Sequence, residues 1–206
     1  MRADQVEYII FDVETTGFYP KDGDRIIEIA AVKMKNGQVV DTFESLINPE
    51  RDLPLAAQNI NKITPDMIVD APTAEKVLPK MVDFIGGGCL VAHNIKFDMD
   101  FLCYQLAVCG RRLNEATPGI DTLKMARKFI PHLTSHKLTS LAHFFGIPIN
   151  DAHRAMADTH VTMLVLKFLL DMAKAQEITQ FSQVLSHFGV AKPSFQIEPV
   201  SQGLLF

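Results

Sequence analysis

Two carboxylates near the N-terminus stand at the end of an apolar run, and they are the first residues in the chain that could do chemistry. Asp12 and Glu14 follow Tyr8 to Phe11, a run typical of a buried strand. Because side chains alternate along a strand, both carboxylates are expected on one face, roughly 7 Å apart. Carboxylates so placed repel each other unless a cation lies between them, and oxygen ligands favour Mg²⁺ or Mn²⁺. A metal site and a strand that ends in acidic residues by chance both fit this pattern.

The residues that follow add a turn and a further carboxylate. Gly17 allows the backbone to turn tightly after Thr15 and Thr16, as a site open to a substrate requires. Glu28 lies inside the next apolar run, Ile26 to Val32. A carboxylate that faces a loop or solvent is the favoured interpretation of Glu28, ahead of a catalytic role.

Asp98 stands in the first turn of a predicted helix that follows a short buried strand, Cys89 to Ala92. A carboxylate in this position can complement the helix dipole, or it can face a site at the edge of the sheet. Asp100 is equally acidic, but on a helix it points about 200° away from Asp98. Only one of the two can therefore face such a site.

His153 and Asp158 are separated by about 140° on a continuous helix, so they would not share a face. Both can face one site only if His153 lies in a loop before the helix, which Asn150 and Asp151 would supply. A surface histidine and a solvated helical aspartate are the alternatives. The small apolar residues before Asp158 favour an inward position for its carboxylate.

The order of the predicted elements favours an α/β fold with a mixed sheet and helices on its faces. Five strands are predicted, at 8–13, 26–32, 39–47, 89–92 and 120–121. The first three indicate an antiparallel meander with a hairpin turn at Asn36-Gly37. Helical patterns follow, including a long one from about 152 to 175, and Pro79 predicts a kink or break in the helix that contains it.

Composition narrows the class of protein. A chain of 206 residues with 48% apolar content can bury a full core as one domain. The net charge of −4 provides no basic surface for autonomous nucleic-acid binding. Three cysteines in apolar contexts, without a C-x-x-C pair, are interpreted as core thiols of a cytoplasmic protein. The longest apolar stretch is too short to span a bilayer, so no membrane partner is expected.

Three motifs occur in a fixed order: Asp-x-Glu-Thr-Thr-Gly at 12–17, His-Asn-x-x-Phe-Asp at 93–98 and His-x-Ala-x-x-Asp at 153–158. Together they resemble the exonuclease motifs of the DEDDh family, which includes the proofreading epsilon subunits of bacterial DNA polymerase III. The resemblance implies a ribonuclease-H-like mixed five-stranded sheet flanked by helices. It divides the chain into an exonuclease domain, 1–176, and a C-terminal extension, 177–206.

The resemblance also implies an activity, that of a metal-dependent 3′→5′ exonuclease that acts on DNA with two Mg²⁺ or Mn²⁺ ions and releases nucleoside 5′-monophosphates. Asp12, Glu14, Asp98 and Asp158 would be the metal ligands. His153 would take the proton from the attacking water. The residues expected to contact the terminal nucleotide are Thr15, Thr16, Gly17, Phe18, Asn94 and Phe97.

One segment departs from the family pattern. Many relatives carry His-Gly-Ile where this chain has Asn61-Lys62-Ile63, and in relatives this segment lies near the terminal nucleotide. Asparagine retains the ability to form hydrogen bonds but lacks an imidazole plane for stacking. The departure therefore concerns contacts to the nucleotide and not the metal centre.

The last five residues resemble the short peptide by which bacterial replication proteins dock on the sliding clamp. Gln202, with the apolar Leu205 and Phe206, fits insertion into a hydrophobic groove. An apolar tail that folds onto its own domain fits as well. A sliding clamp and a DNA polymerase are therefore candidate partners.

Two other functions stay open. The motifs fit an RNA 3′-end trimming exonuclease of the same superfamily as well as a DNA enzyme of proofreading or repair, and the tail favours DNA. A catalytically silent adaptor between a polymerase and a clamp is disfavoured, because all four candidate ligands and the histidine are present.

Overall fold

Strands and helices alternate after an initial run of three strands. The computed structural model describes residues 1–149, 154–193 and 195. The strands are β1 Tyr8–Thr15, β2 Ile26–Lys35, β3 Gln38–Leu46, β4 Cys89–Ala92, β5 Gly119–Asp121 and β6 Gly189–Val190. The helices are α1 Leu55–Asn61, α2 Pro65–Ile68, α3 Ala74–Ile85, α4 Lys96–Val108, α5 Thr122–Phe129, α6 Leu138–Phe144, α7 Ala155–Ala175 and α8 Phe181–Phe188.

One mixed sheet joins these strands in the order β3-β2-β1-β4-β5-β6. β1, β2 and β3 form the predicted antiparallel meander, and Asn36 and Gly37 both have positive φ angles, as a two-residue hairpin requires. β4 and β5 run parallel to β1. The predicted α/β fold is confirmed, but the described sheet has six strands instead of five. The additional strand, β6, pairs antiparallel with β5, and its two residues are too few to show a periodic pattern.

Side chains along β1 alternate between the two faces of the sheet and so pack into two core layers. Ile10 packs with residues of α5, α6, α7 and α8 on one face of the sheet. Phe11 packs with residues of α3 and α4 on the other face. Because side chains two apart share a face, Asp12 and Glu14 follow Ile10 toward α7.

A kink or a break was predicted at Pro79; the helix is not broken there, because α3 continues through Pro79 to Ile85. Proline at this position removes one intrahelical hydrogen bond. The helix buries an apolar stripe against the sheet, and this burial offsets the lost bond. The stripe consists of Val77, Leu78, Met81 and Ile85.

Part of the predicted C-terminal extension packs with the domain. A capping box of Gln180 and Gln183 begins α8. Val184 and Phe188 on this helix are buried in the same core as Ile10. Residues of the extension therefore contribute to both the core and the sheet as far as β6.

Two of the sequence predictions fall on residues outside the described ranges. They are His153 as the general base and the clamp peptide that includes Gln202, Leu205 and Phe206. Both stay predictions that rest on the amino-acid sequence.

The three cysteines are free thiols, with Cys89 buried in β4 and Cys103 and Cys109 half-buried. Burial raises the pKa of the Cys103 thiol to about 11, so it stays protonated at neutral pH. Within the described ranges, no helix combines the length and the apolar character that crossing a membrane requires.

Replacement of Phe188 by alanine tests whether α8 belongs to the core. The variant should lose about 3–5 kcal/mol of unfolding free energy, because Phe188 is 2% exposed and packs against Phe129. Urea denaturation of the full chain measures this loss. Phe144→Ala is the matched control, since Phe144 is 44% exposed and should lose only about 1 kcal/mol. Equally small losses in both variants would contradict the packing of α8 on the core.

Candidate metal centre

The C-terminal end of β1 extends beyond its parallel partner. Pairing with β4 ends where Ile10 lies opposite Val91, whereas pairing with β2 continues to Thr15. Asp12 and Glu14 are half-buried on this extended end. The strand therefore presents two carboxylates where the sheet leaves one side of β1 uncovered.

Asp158, in the first turn of α7, joins these two carboxylates. One ligand oxygen from each of Asp12, Glu14 and Asp158 lies within 4.8 Å of the others. Asp158 is half-buried, and its amide donates to the Arg154 carbonyl at 3.1 Å as the first helical turn forms. Three carboxylates from two distant parts of the sequence therefore converge at one point.

Asp98 reaches the same strand from the opposite layer. It lies in the first turn of α4 and is 3% exposed. Its Oδ1 accepts a hydrogen bond from the Val13 amide at 3.2 Å. Val13 lies between Asp12 and Glu14 in the chain, so Asp98 is tied directly to the strand that carries both.

Asp100 provides an internal comparison. It points away from Asp98 and forms an ion pair with Lys96 at 2.5 Å. The helical geometry predicted that only one of these two aspartates could face the sheet edge, and Asp98 is the one that does.

Burial and mutual repulsion oppose ionisation of these carboxyl groups. Burial, followed by the charge of Asp98, raises the pKa of Asp12 well above its usual value. Burial, followed by the charges of Asp158 and Glu28, raises the pKa of Glu14 to about 8. Burial is also the main cause that raises the pKa of Asp98, although its backbone hydrogen bonds act in the other direction.

A divalent cation fits this set of donors. Carboxylate oxygens are the ligands that Mg²⁺ and Mn²⁺ prefer. The oxygens of Asp12, Glu14 and Asp158 are close enough together to share an ion. A cation between them would also remove the repulsion that raises the pKa values of Asp12 and Glu14.

The turn that follows β1 is built around Asp24. Its Oδ1 accepts a hydrogen bond from the Thr16 hydroxyl at 3.0 Å, and its Oδ2 accepts one from the Tyr19 amide at 3.1 Å. The Thr15 hydroxyl donates to the Gly17 carbonyl at 2.6 Å. A Cβ on Gly17 would overlap the Asp24 carboxylate, so the turn requires glycine at this position.

Two phenylalanines, one directly after Gly17 and one directly before Asp98 in the chain, contact each other. Phe18 is 67% exposed and meets the half-buried Phe97 edge to face, with ring centroids 6.4 Å apart. Phe97 packs in turn against Phe101 at 5.0 Å. Asn94 is exposed in a left-handed turn, and its amide donates to Asp121 Oδ1 at 3.1 Å. The exposed ring of Phe18 therefore rests on Phe97, which packs in turn on the buried Phe101.

Glu28 is the residue whose sequence interpretation is wrong. It does not face a loop or solvent, because it is 1% exposed and forms an ion pair with Arg154. Arg154 Nη2 donates to Glu28 Oε1 at 2.6 Å, and Nε lies 3.2 Å from both oxygens. The Ala155 amide donates to Oε2 at 2.9 Å. The partners are 126 residues apart, so no local pattern could reveal the pair.

Asp121 and His93 have structural roles that sequence analysis did not assign. Asp121 caps α5 and also accepts the amide of Asn94. His93 Nδ1 lies 3.0 Å from the Thr122 hydroxyl, and its Nε2 lies 2.9 Å from the His136 carbonyl. Burial lowers the pKa of His93, and its Nε2 donates to the His136 carbonyl, because a carbonyl oxygen can only accept. The histidine of the second motif therefore holds the end of β4 against α5.

The segment that departs from the family pattern is folded back on itself. Asn61 is buried, and its Oδ1 accepts a hydrogen bond from the Ile63 amide at 3.0 Å. Lys62 has a left-handed backbone with φ of 59°, a conformation that glycine adopts with less strain. The Asn61 side chain therefore shapes this turn.

Comparison with curated proteins finds replication proteins that are much longer than this chain. The DNA polymerase III PolC-type protein of Clostridium perfringens (strain 13 / Type A) is 40% identical over 170 residues, covering 82% of this chain and 12% of that protein. The DNA polymerase III subunit epsilon-like protein of Rhodobacter capsulatus is 35% identical over 187 residues, covering 89% of this chain and 26% of that protein. The chain therefore spans well under half the length of these relatives.

A solved structure and a family model match most of the chain. The structure of Exonuclease X in complex with 5′ overhanging duplex DNA matches with a TM-score of 0.69 and 27% identity, covering 87% of this chain and 98% of that chain. Residues 9–166 match the family model described as Exonuclease. The resemblance to the DEDDh exonucleases is thereby confirmed, and this chain belongs to the exonuclease family.

Proposed function

We propose that this chain is a metal-dependent 3′→5′ exonuclease that shortens DNA from its 3′ end and releases nucleoside 5′-monophosphates. The observation that carries the proposal is the convergence of Asp12, Glu14 and Asp158 within 4.8 Å at the end of β1. Membership of the exonuclease family supports the hydrolysis of phosphodiester bonds. The direction of digestion and the identity of the products are the finer parts of the proposal.

Four carboxylates would hold two Mg²⁺ or Mn²⁺ ions. Asp12, Glu14 and Asp158 form the core of the set, and Asp98 would be the fourth ligand. Divalent ions there would promote ionisation of the attacking water and neutralise the charge that develops on the phosphate. The hydrogen bond from Val13 to Asp98 Oδ1 would fix the orientation of that carboxylate.

His153 would accept the proton of the attacking water. It directly precedes Arg154, the N-cap residue of α7, and Asp158 lies one helical turn further along. This connectivity supports a position for His153 near the carboxylates. An imidazole, with an ordinary pKa of about 6.5, exchanges protons readily near neutral pH.

The turn after β1 would bind the terminal nucleotide. The exposed ring of Phe18, supported by Phe97, would stack on a base. The exposed Asn94 would add a polar contact from the start of α4. Because the hydroxyls of Thr15 and Thr16 are engaged inside the turn, these residues would act by shaping the main chain around Gly17.

The proposal of DNA as the substrate rests on the relatives. Exonuclease X, 27% identical, was solved with overhanging duplex DNA, and the curated relatives are named as DNA polymerase III proteins. Proofreading beside a polymerase is the role that we propose. Contact with a sliding clamp through Gln202, Leu205 and Phe206 is proposed from the sequence alone.

Removal of a metal ligand tests the proposed activity. Asp12→Asn and Asp158→Asn should each reduce Mn²⁺-dependent release of nucleoside 5′-monophosphates by more than about 100-fold, because each removes a charged oxygen from the site. Asp100→Asn is the matched control and should retain activity, since Asp100 pairs with Lys96 outside the site.

Single strands of DNA and RNA with the same base sequence, labelled at the 5′ end, report direction and sugar preference in this assay. Full activity of either ligand variant would remove that residue from the metal site. Faster digestion of the RNA strand would favour the 3′-end trimming enzyme over the DNA exonuclease.

The stability of the metal-free protein should fall as pH rises from about 4.5 to about 8. Glu14 has a folded-state pKa of about 8 against a usual 4.5, so the unfolded chain loses its proton first and is favoured. The slope for one carboxyl group is at most about 1.4 kcal/mol per pH unit. Urea denaturation in EDTA measures it, and Glu14→Gln should make the pH dependence less steep, while Asp12 and Asp98 still contribute. A flat curve for the unmodified chain would contradict the raised pKa.

Replacement of His153 by glutamine separates proton transfer from metal binding. The variant should lose about 100-fold or more in kcat while it binds Mn²⁺ as the unmodified chain does. In the unmodified chain kcat should rise with pH until the imidazole is neutral, and this rise should be absent from the variant. Unchanged kcat in His153→Gln would assign the base to another group.

A further inference from the structure

An ion pair between the buried Glu28 and the partly exposed Arg154 joins β2 to the start of α7. Both oxygens of Glu28 accept hydrogen bonds from the Arg154 guanidinium, and one also accepts the Ala155 amide. Glu28 is 1% exposed, and Ala155 is fully buried. Because its oxygens are occupied in this way, Glu28 is engaged by the protein and not directed at a cation.

This pair connects the two segments that carry the candidate ligands Glu14 and Asp158. Glu28 lies directly opposite Glu14 in the register of β1 and β2. Arg154 is the N-cap residue of α7, and its carbonyl accepts the amide of Asp158 at 3.1 Å. The backbone of Asp158 is therefore linked to that of Glu14 through one strand pair, one ion pair and one helical turn.

Stability alone is a weak reason for this arrangement. Burying the Glu28 carboxylate costs hydration free energy, and its attraction to Arg154, whose side chain is 36% exposed, mainly compensates for this cost. The pair contributes a fixed relative orientation of its two side chains, because a planar guanidinium binds a carboxylate through parallel hydrogen bonds. The additional bond from the Ala155 amide fixes the first turn of α7 in the same step.

We infer that Glu28 and Arg154 are positioning residues that hold Asp158 at its distance from Glu14 and thereby set the affinity of the metal centre for a divalent cation. Neither side chain contacts the cation or the substrate in this role. The inference rests on the proposed function for the presence of the cation.

Mn²⁺ titration of full-length variants, followed by calorimetry without nucleic acid, tests this inference. Both E28Q and the double variant E28Q/R154M should bind Mn²⁺ about 10–100-fold more weakly than the unmodified chain. E28Q/R154M leaves no unpaired buried charge, so this variant can be titrated with Mn²⁺ even if E28Q does not fold. Urea denaturation of the same samples separates a loss of stability from a loss of affinity in the folded protein.

E7Q/K33M is the matched control. Lys33 and Glu7 form an ion pair at 3.7 Å, and Lys33 lies five residues beyond Glu28 along β2, about 17 Å away. This variant likewise removes one carboxylate and one cation, of which Lys33 lies on β2 as Glu28 does, and it should bind Mn²⁺ as the unmodified chain does. R154K retains the charge but cannot form the parallel bonds, so it should bind Mn²⁺ about as weakly as E28Q/R154M.

Unchanged Mn²⁺ affinity in E28Q/R154M, equal weakening in the control, or full affinity in R154K would each overturn the inference. Unchanged affinity together with normal DNA cleavage would remove this inference and leave the proposed function in place. Weakened affinity in variants of a chain that cleaves no DNA would support the inference and remove the proposed function. Failure of the unmodified chain to bind Mn²⁺ would overturn both.

Discussion

Repulsion among carboxylates is the constraint on which the rest of this structure depends. Asp12, Glu14 and Asp158 bring their oxygens within 4.8 Å of one another in a half-buried setting. Burial and the neighbouring charges disfavour the ionised forms of Asp12 and Glu14. Side chains that repel one another stay together only if the backbone that carries them is held in place by other interactions. A strand inside the sheet and the first turn of a long helix provide such a backbone.

Both faces of β1 contribute to the site. Asp12 and Glu14 point toward α7, the helix that supplies Asp158. The Val13 amide between them donates to Asp98, which comes from α4 in the opposite layer. One strand therefore collects acidic residues from both layers, which requires that β1 extend past β4. Had β4 been longer, a strand would have covered the side of β1 that Asp98 now occupies.

Sequence analysis correctly predicted the side-chain orientations that depend only on the local backbone conformation. Strand alternation predicted that Asp12 and Glu14 share a face, and helical rotation predicted that Asp98 and Asp100 do not. Glu28 was misjudged because its partner, Arg154, is distant in the chain and the pairing depends on how α7 packs on β2. β6 was missed because a two-residue strand is specified by its partner β5 and not by its own residues.

The acidic character of the chain fits this arrangement. A protein of net charge −4 with additional carboxylates at its site repels a polyanion such as DNA. Cations at the site would relieve the repulsion among the ligands and attract the phosphate that is to be cleaved. Affinity for the substrate would then depend on cation occupancy more than on a basic surface. The same reasoning applies to Glu28 and Arg154, because an ion pair adds no net charge while it would fix the carboxylates proposed to hold the cations.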